Sequence, residues 1–360
     1  MNRTELRFAW RLIPFLDSVE GFEDGLVRLR DRRWLVWHPD VMTALFRNDR
    51  VLRHPPSRTL SPLLGNRSVL WLDGAEHTAY RRALVPMLRG ERYRALIEEM
   101  AGRAVAELPA GPTSLPAWTR RLTLRIIGRV VFGVDDDELL TAFSRWLDRR
   151  LGSRVRTLAH RWLTPGATRS DPRLDAMLLE RVQSAEFPAL AACLPREDLR
   201  DQVVSLLFAG HETTASATAW TVYWMHEAGL ADRPDLVGAA ITESLRLSPP
   251  ATLAGNRMSA DGMVLTPSIY LAHRRAATYE NPHVFDPFRA PPPAGAFFPF
   301  GGGVRHCPGR DLALLEIRLI VTALLRHKHV ELVHPAGTPQ LRGAAMAPPP
   351  SLAMVTTCRR

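Results

Sequence analysis

One cysteine set in a glycine-rich turn constrains this chain more than any other feature. Residues 297–312 read FFPFGGGVRHCPGRDL, with Cys307 behind Gly301, Gly302 and Gly303 and ahead of Pro308, Gly309 and a long apolar-periodic run over 310–326. The glycines permit a tight turn with positive φ and let backbone come close to a flat ligand. Pro308 suits the first position of a helix, where its missing N–H costs nothing. Cys307 is therefore expected beside a helix N-terminus, where the dipole and unpaired N–H groups favour a thiolate.

A thiolate supported by backbone donors suits the proximal ligand of a haem iron, pushing electron density toward bound oxygen. The competing reading is a buried structural thiol after a turn. Phe300, Gly303, Arg305, Cys307 and Gly309 form F-x-x-G-x-R-x-C-x-G, five fixed positions within ten residues. A pattern of that length is far more specific than one cysteine.

The chain has 360 residues, 46% of them hydrophobic, enough for a large core. No linker or charge block divides it, and the expectation is one domain over 1–360. The net charge of +10 is almost all arginine, since Lys328 is the only lysine. The arginines are scattered along helical segments, which argues against nucleic acid and allows docking of an acidic redox partner. Cys193, Cys307 and Cys358 are widely separated, with neither C-x-x-C nor a disulfide framework, which fits a reducing cytoplasm. Charged residues interrupt the N-terminal apolar stretch, so no membrane anchor is expected.

Residues 25–37 read as two short strands, and helical periodicity begins near Pro39. Helix dominates 76–182, broken at Gly90, 109–112, Gly133 and Pro165. A long central helix is expected from Pro195 to about Gly229, and the next helix ends at Pro249. Short strands are expected near 263–265, 268–271, 330–333 and 352–356. The fold class is mainly α with small β-sheets, α+β.

The central helix contains AGHETT over 209–214. A glycine, a carboxylate and hydroxyls are unusual in a helix interior, because Gly costs about 1 kcal/mol there and a Thr hydroxyl competes for carbonyls. A local opening would present Glu212 and Thr213 as an acid–alcohol pair able to relay protons. The plainer alternative is a helix–helix contact at Gly210. Glu243 and Arg246 lie three apart on one helix face, and His77 and Arg81 four apart on another.

In order along the chain, the His/Arg pair, AGHETT, E-x-x-R, FDPFR and the Cys loop together resemble the cytochrome P-450 family. The resemblance runs from about Gly25 to the C-terminus. It implies haem b between the AGHETT helix and the Cys-loop helix, with Cys307 as the axial iron ligand. It also implies His77, Arg81, Arg305 and, in AGNRMSADG, Arg257 as propionate donors, because guanidinium pairs bidentately with carboxylate. Phe300, Ala209 and Gly210 would flank the haem. Glu243, Arg246 and Arg289 would form a buried structural network. Glu212 and Thr213 would manage proton delivery during oxygen activation.

Segments 157–198, 215–242 and 259–272 look shorter than the family's. The function the resemblance implies is a soluble, cytoplasmic monooxygenase that inserts one atom of O2 into a small, moderately hydrophobic molecule. Residues 56–71, Phe208, Ala209, 252–254, Ala345 and Met346 are expected to line its pocket. No flavin or iron–sulfur segment is fused, so a ferredoxin- or flavodoxin-type donor is implied. Coupling, desaturation, peroxide-driven oxidation and a haem-free helper role stand as alternatives.

Overall fold

The computed structural model describes residues 3–56, 60–151, 171–184, 194–293, 295–333, 338–342 and 345–359. Cys193 and much of 157–198 lie outside the described residues. The chain divides into two compact units, Met1–Pro55 with Gly238–Cys307, and Pro56–Val237 with Pro308–Arg360.

In the first unit Leu26–Arg30 pairs antiparallel with Arg33–Val36, which runs parallel to Val264–Pro267; Arg257–Met258 closes the sheet antiparallel. Leu35, Val36 and Trp37 are buried, and the chain then turns into the helix Pro39–Arg47. Proline opens that helix, and the His38 ring accepts from the Asp40 N–H at 3.3 Å. Met42, Leu45 and Phe46 form its buried stripe. The helix Val237–Leu247 stops just ahead of the proline pair at 249 and 250. The expected strand at 268–271 is instead one helical turn, Ile269–Ala272, because the Ser268 hydroxyl caps it by accepting from the Leu271 N–H at 3.2 Å.

The second unit is built on the helix Arg196–Glu227. Val203, Val204, Leu207, Ala215, Trp220 and Met225 are buried on several of its sides, as befits a core helix. The helix Leu115–Phe132 packs along it. The helix Arg310–His327 buries Leu312, Leu315, Ile317, Ile320, Val321 and Leu324 on one broad face and packs against Arg94–Ala106. It begins two residues later than expected: Gly309, not Cys307, is the N-cap, and the first helical bond runs from the Ala313 N–H to the Gly309 carbonyl. Thr113–Ser114, Ala353–Cys358 and Lys328–Leu332 form a three-stranded sheet, and Gln340–Arg342 pairs with Ala345–Ala347. The Met346 carbonyl of that hairpin accepts from Trp220 Nε1 at 3.1 Å and from the Ser216 hydroxyl, fixing the hairpin to the central helix. No helix among the described residues is long and apolar enough to cross a membrane.

Candidate active site

The cysteine loop belongs to the first unit. Gly301 and Gly303 take φ of +68° and +67°, values that side chains with a Cβ rarely adopt. Three backbone bonds wind the loop: Gly301 N–H to Phe298 O, His306 N–H to Gly303 O, and Cys307 N–H to Phe300 O at 2.9 Å. The last bond sets Cys307 across from Phe300, and both residues are half-buried, as is Arg305.

His273 props the start of this loop, a role with no signal in sequence spacing. Its Nε2 accepts from the Phe298 N–H at 2.8 Å, and its ring packs on Phe297 at 4.9 Å between centroids. Accepting there needs a neutral imidazole. Burial, helped by the positive charges of Arg274 and Arg246, lowers its pKa to about 3 and keeps it neutral.

The Glu243 network meets this prop at the His273 carbonyl. Arg246 donates bidentately to Glu243 at 2.7 and 2.9 Å, and Arg289 Nε donates to the same carboxylate at 3.2 Å. Arg246 also donates to the carbonyls of His273, Pro282 and Val284, and Arg289 to that of Val284. Arg246 lies over the Tyr279 ring at 5.1 Å. The arginines thus convert a helix-surface motif into a buried tie between the helix and residues 273–289.

Arg257 is fully buried. It donates to Asp49 at 2.9 and 3.2 Å, to Gly255 O at 2.6 Å and to Gly302 O at 3.2 Å. Asp49 also meets His54 Nε2 at 2.9 Å. Burial pushes the Asp49 pKa up, but hydrogen bonds from His54 and Arg257 outweigh it and hold the carboxyl at about 2. Neither Asp49 nor His54 is visible as a partner in the sequence.

In the second unit, Ala209 and Thr213 are exposed one turn apart on the long helix, between the buried stretches 198–208 and 214–222, with Gly210 half-buried between them. The Thr213 hydroxyl donates to Ala209 O at 2.7 Å, the competition for a carbonyl expected of a mid-helix threonine. Gly210 serves a helix contact: a Cβ there would lie 2.6 Å from Ile127 Cγ1. Glu212 points elsewhere, since neighbouring residues project roughly 100° apart on a helix. Its buried carboxylate accepts from Arg120 Nε at 3.2 Å and Arg342 Nε at 3.3 Å, and lies 3.3 Å from His211 Nε2. Asp148 bridges the two arginines from the outside. Burial raises the Glu212 pKa, but the nearby His211 ring and the charges of Arg120 and Arg342 prevail and bring it to about 2.

His77 is buried and Arg81 half-buried on the helix Gly74–Leu84. Of the expected pocket residues, Ala209 is exposed, while Phe208, Thr252, Ala345 and Met346 are packed in the core.

The family model described as Cytochrome P-450 matches residues 143–228 and 230–355. Cytochrome P-450 135A1 of Mycobacterium tuberculosis is 29% identical over 95% of this chain and 90% of its own length. Cytochrome P-450 137 of the same species is 29% identical over 73% of this chain and 67% of its own. A six-coordinated cytochrome P-450 from Thermus thermophilus superposes with a TM-score of 0.72 at 27% identity, covering 90% of this chain and 92% of that one. Haem b, bound through the cysteine loop, is the cofactor of such proteins. With its wound cysteine loop, its mainly helical fold and these relatives, the chain belongs to the cytochrome P-450 family of haem-thiolate monooxygenases.

Proposed function

We propose that the substrate is a small, moderately hydrophobic organic molecule, with natural-product tailoring as the setting and a separate ferredoxin- or flavodoxin-type protein as electron donor. The observation that carries the reading is the half-buried thiol of Cys307 on a wound glycine turn; Ala209 and Thr213, exposed one turn apart in a buried stretch of the central helix, support it independently. The residues fit the cofactor. Cys307 would bind its iron through the thiolate, Phe300, Ala209 and Gly210 would lie against it, and His77, Arg81 and Arg305 would donate to its carboxylates. When bound, haem supplies the oxygen chemistry, with electron push from the thiolate.

The chain's own work is orientation and proton handling. Thr213 spends its only hydroxyl proton on Ala209 O, so its oxygen is left as an acceptor toward the exposed side. Glu212, with a pKa of about 2, is a carboxylate at neutral pH and stores no proton. It passes one on only by taking it up transiently, and Arg120 and Arg342, which hold it ionised, set how readily it does so. This arrangement favours O2 activation over purely peroxide-driven oxidation.

The test is Thr213→Ala in turnover reconstituted with a ferredoxin and its reductase. Product per reduced nicotinamide should fall while haem content stays that of wild type, by on the order of 100-fold if the relay is lost. Full coupling in Thr213→Ala, or turnover with peroxide alone equal to that with the donor, would favour the peroxide-driven alternative.

A further inference from the structure

The geometry points to Arg257 and Asp49 as a positioning pair for the cysteine loop, with Arg257 withheld from the anionic groups of the cofactor. This rests on the haem-thiolate reading of Cys307. Arginine has five N–H donors in a planar fork. Here Nε and Nη2 bind both oxygens of Asp49, Nη1 binds Gly255 O, and Nη2 also reaches Gly302 O. The guanidinium is 1% exposed and its charge is matched by an equally buried carboxylate. An arginine bound this way offers neither a free fork nor net charge to a second anion.

The pair instead grips the tip of the loop. The Gly302 carbonyl accepts from Arg257 at 3.2 Å. A Cβ on Gly303 would stand 2.2 Å from Asp49 Oδ2, and one on Gly302 2.6 Å from the Phe46 ring. Phe46 lies under the guanidinium, with Arg257 Cζ 5.2 Å from its ring centroid, so ring, carboxylate and guanidinium form one surface. The Gly302–Gly303 turn is seated on that surface, and the Cys307 N–H to Phe300 O bond closes the same loop. A shift at Gly302 must therefore move the frame that aims the thiol. Asp49 and Arg257 act through the loop and are positioning residues.

The holoprotein carrying Asp49→Asn, Arg257→Gln, both together, or the milder Arg257→Lys tests this with three measurements. These are the Soret position of the reduced carbon monoxide complex, hydrogen exchange of the peptide spanning 298–307, and haem transfer to apomyoglobin. Both single variants should raise the fraction lacking the red-shifted Soret band several-fold and speed exchange in the loop. The double variant should be no worse than the poorer single, because the two residues act as one unit. Arg257→Lys, which keeps charge but loses the fork, should fall between, and it carries the test if the other variants do not accumulate folded. An unchanged spectrum and loop exchange in Asp49→Asn, alongside faster haem loss in Arg257→Gln, would overturn the proposal and make Arg257 a donor to the cofactor. Absence of the red-shifted band in wild type would instead overturn the thiolate reading, and loop exchange would still report on the pair.

Discussion

Glu316 lies on the buried face of the helix Arg310–His327, between Leu312 and Ile320, and is 1% exposed. Its Oε2 meets no hydrogen-bond partner among the described residues, and burial alone raises its pKa well above the ordinary carboxylate value. The folded protein therefore keeps this proton, while the unfolded chain releases it above pH ~4.3. A folded pKa raised in this way makes stability fall as pH rises, by about 1.4 kcal/mol per pH unit, until the folded pKa is reached. Glu316→Met has similar length and no polar atoms. It should remove an unsatisfied buried group costing about 1–3 kcal/mol, less a packing mismatch of under about 1.5 kcal/mol. Urea unfolding of both proteins at pH 5 and pH 7 measures this. The variant should be the more stable at pH 7, and its advantage should grow between the two pH values by up to about 2.7 kcal/mol. An advantage that does not change with pH, or a variant less stable at both, would show that Glu316 is ionised and partnered, and the argument would fail.

Two other contacts give sharp expectations. Gly210→Ala drives a Cβ into Ile127 and should cost about 1–3 kcal/mol in thermal unfolding, but much less when introduced into an Ile127→Ala background; an equal cost in both backgrounds would remove the helix contact as its cause. Glu243→Gln leaves Arg246 and Arg289 buried without their carboxylate and should cost about 3–5 kcal/mol, read as a lower urea midpoint and poor recovery of folded protein. A loss below about 1 kcal/mol would mean that the carbonyls around the two arginines suffice.

What could be read in the sequence follows from how local each feature is. The cysteine loop packs its five fixed positions into ten residues, and both its turn and the following helix are written in glycines and apolar spacing. The central helix was equally readable, because its apolar run is long and has few breakers. The start of the Cys-loop helix was set too early, since proline is permitted at a first helical position but does not require one. Residues 268–271 looked like a strand because four apolar or small residues in a row suit either period, and the Ser268 cap decided for helix. The environment of Glu212 was out of reach: Arg120 and Arg342 lie 92 and 130 residues away. The motif suggested an acid beside an alcohol at an opening, whereas the fold turns the acid into a buried carboxylate and leaves only the alcohol exposed. Asp49 and Arg257, 208 residues apart, are a second case: the charge was readable in the sequence, but its carboxylate partner was not.

The most direct measurement is the visible spectrum of the purified, haem-loaded protein reduced with dithionite under carbon monoxide, beside the same spectrum of Cys307→Ser. Thiolate ligation by Cys307 requires a strongly red-shifted Soret band in wild type that Cys307→Ser loses while remaining folded. A wild-type band without that shift, or a shift that survives the substitution, would contradict the assignment of Cys307 as the iron ligand.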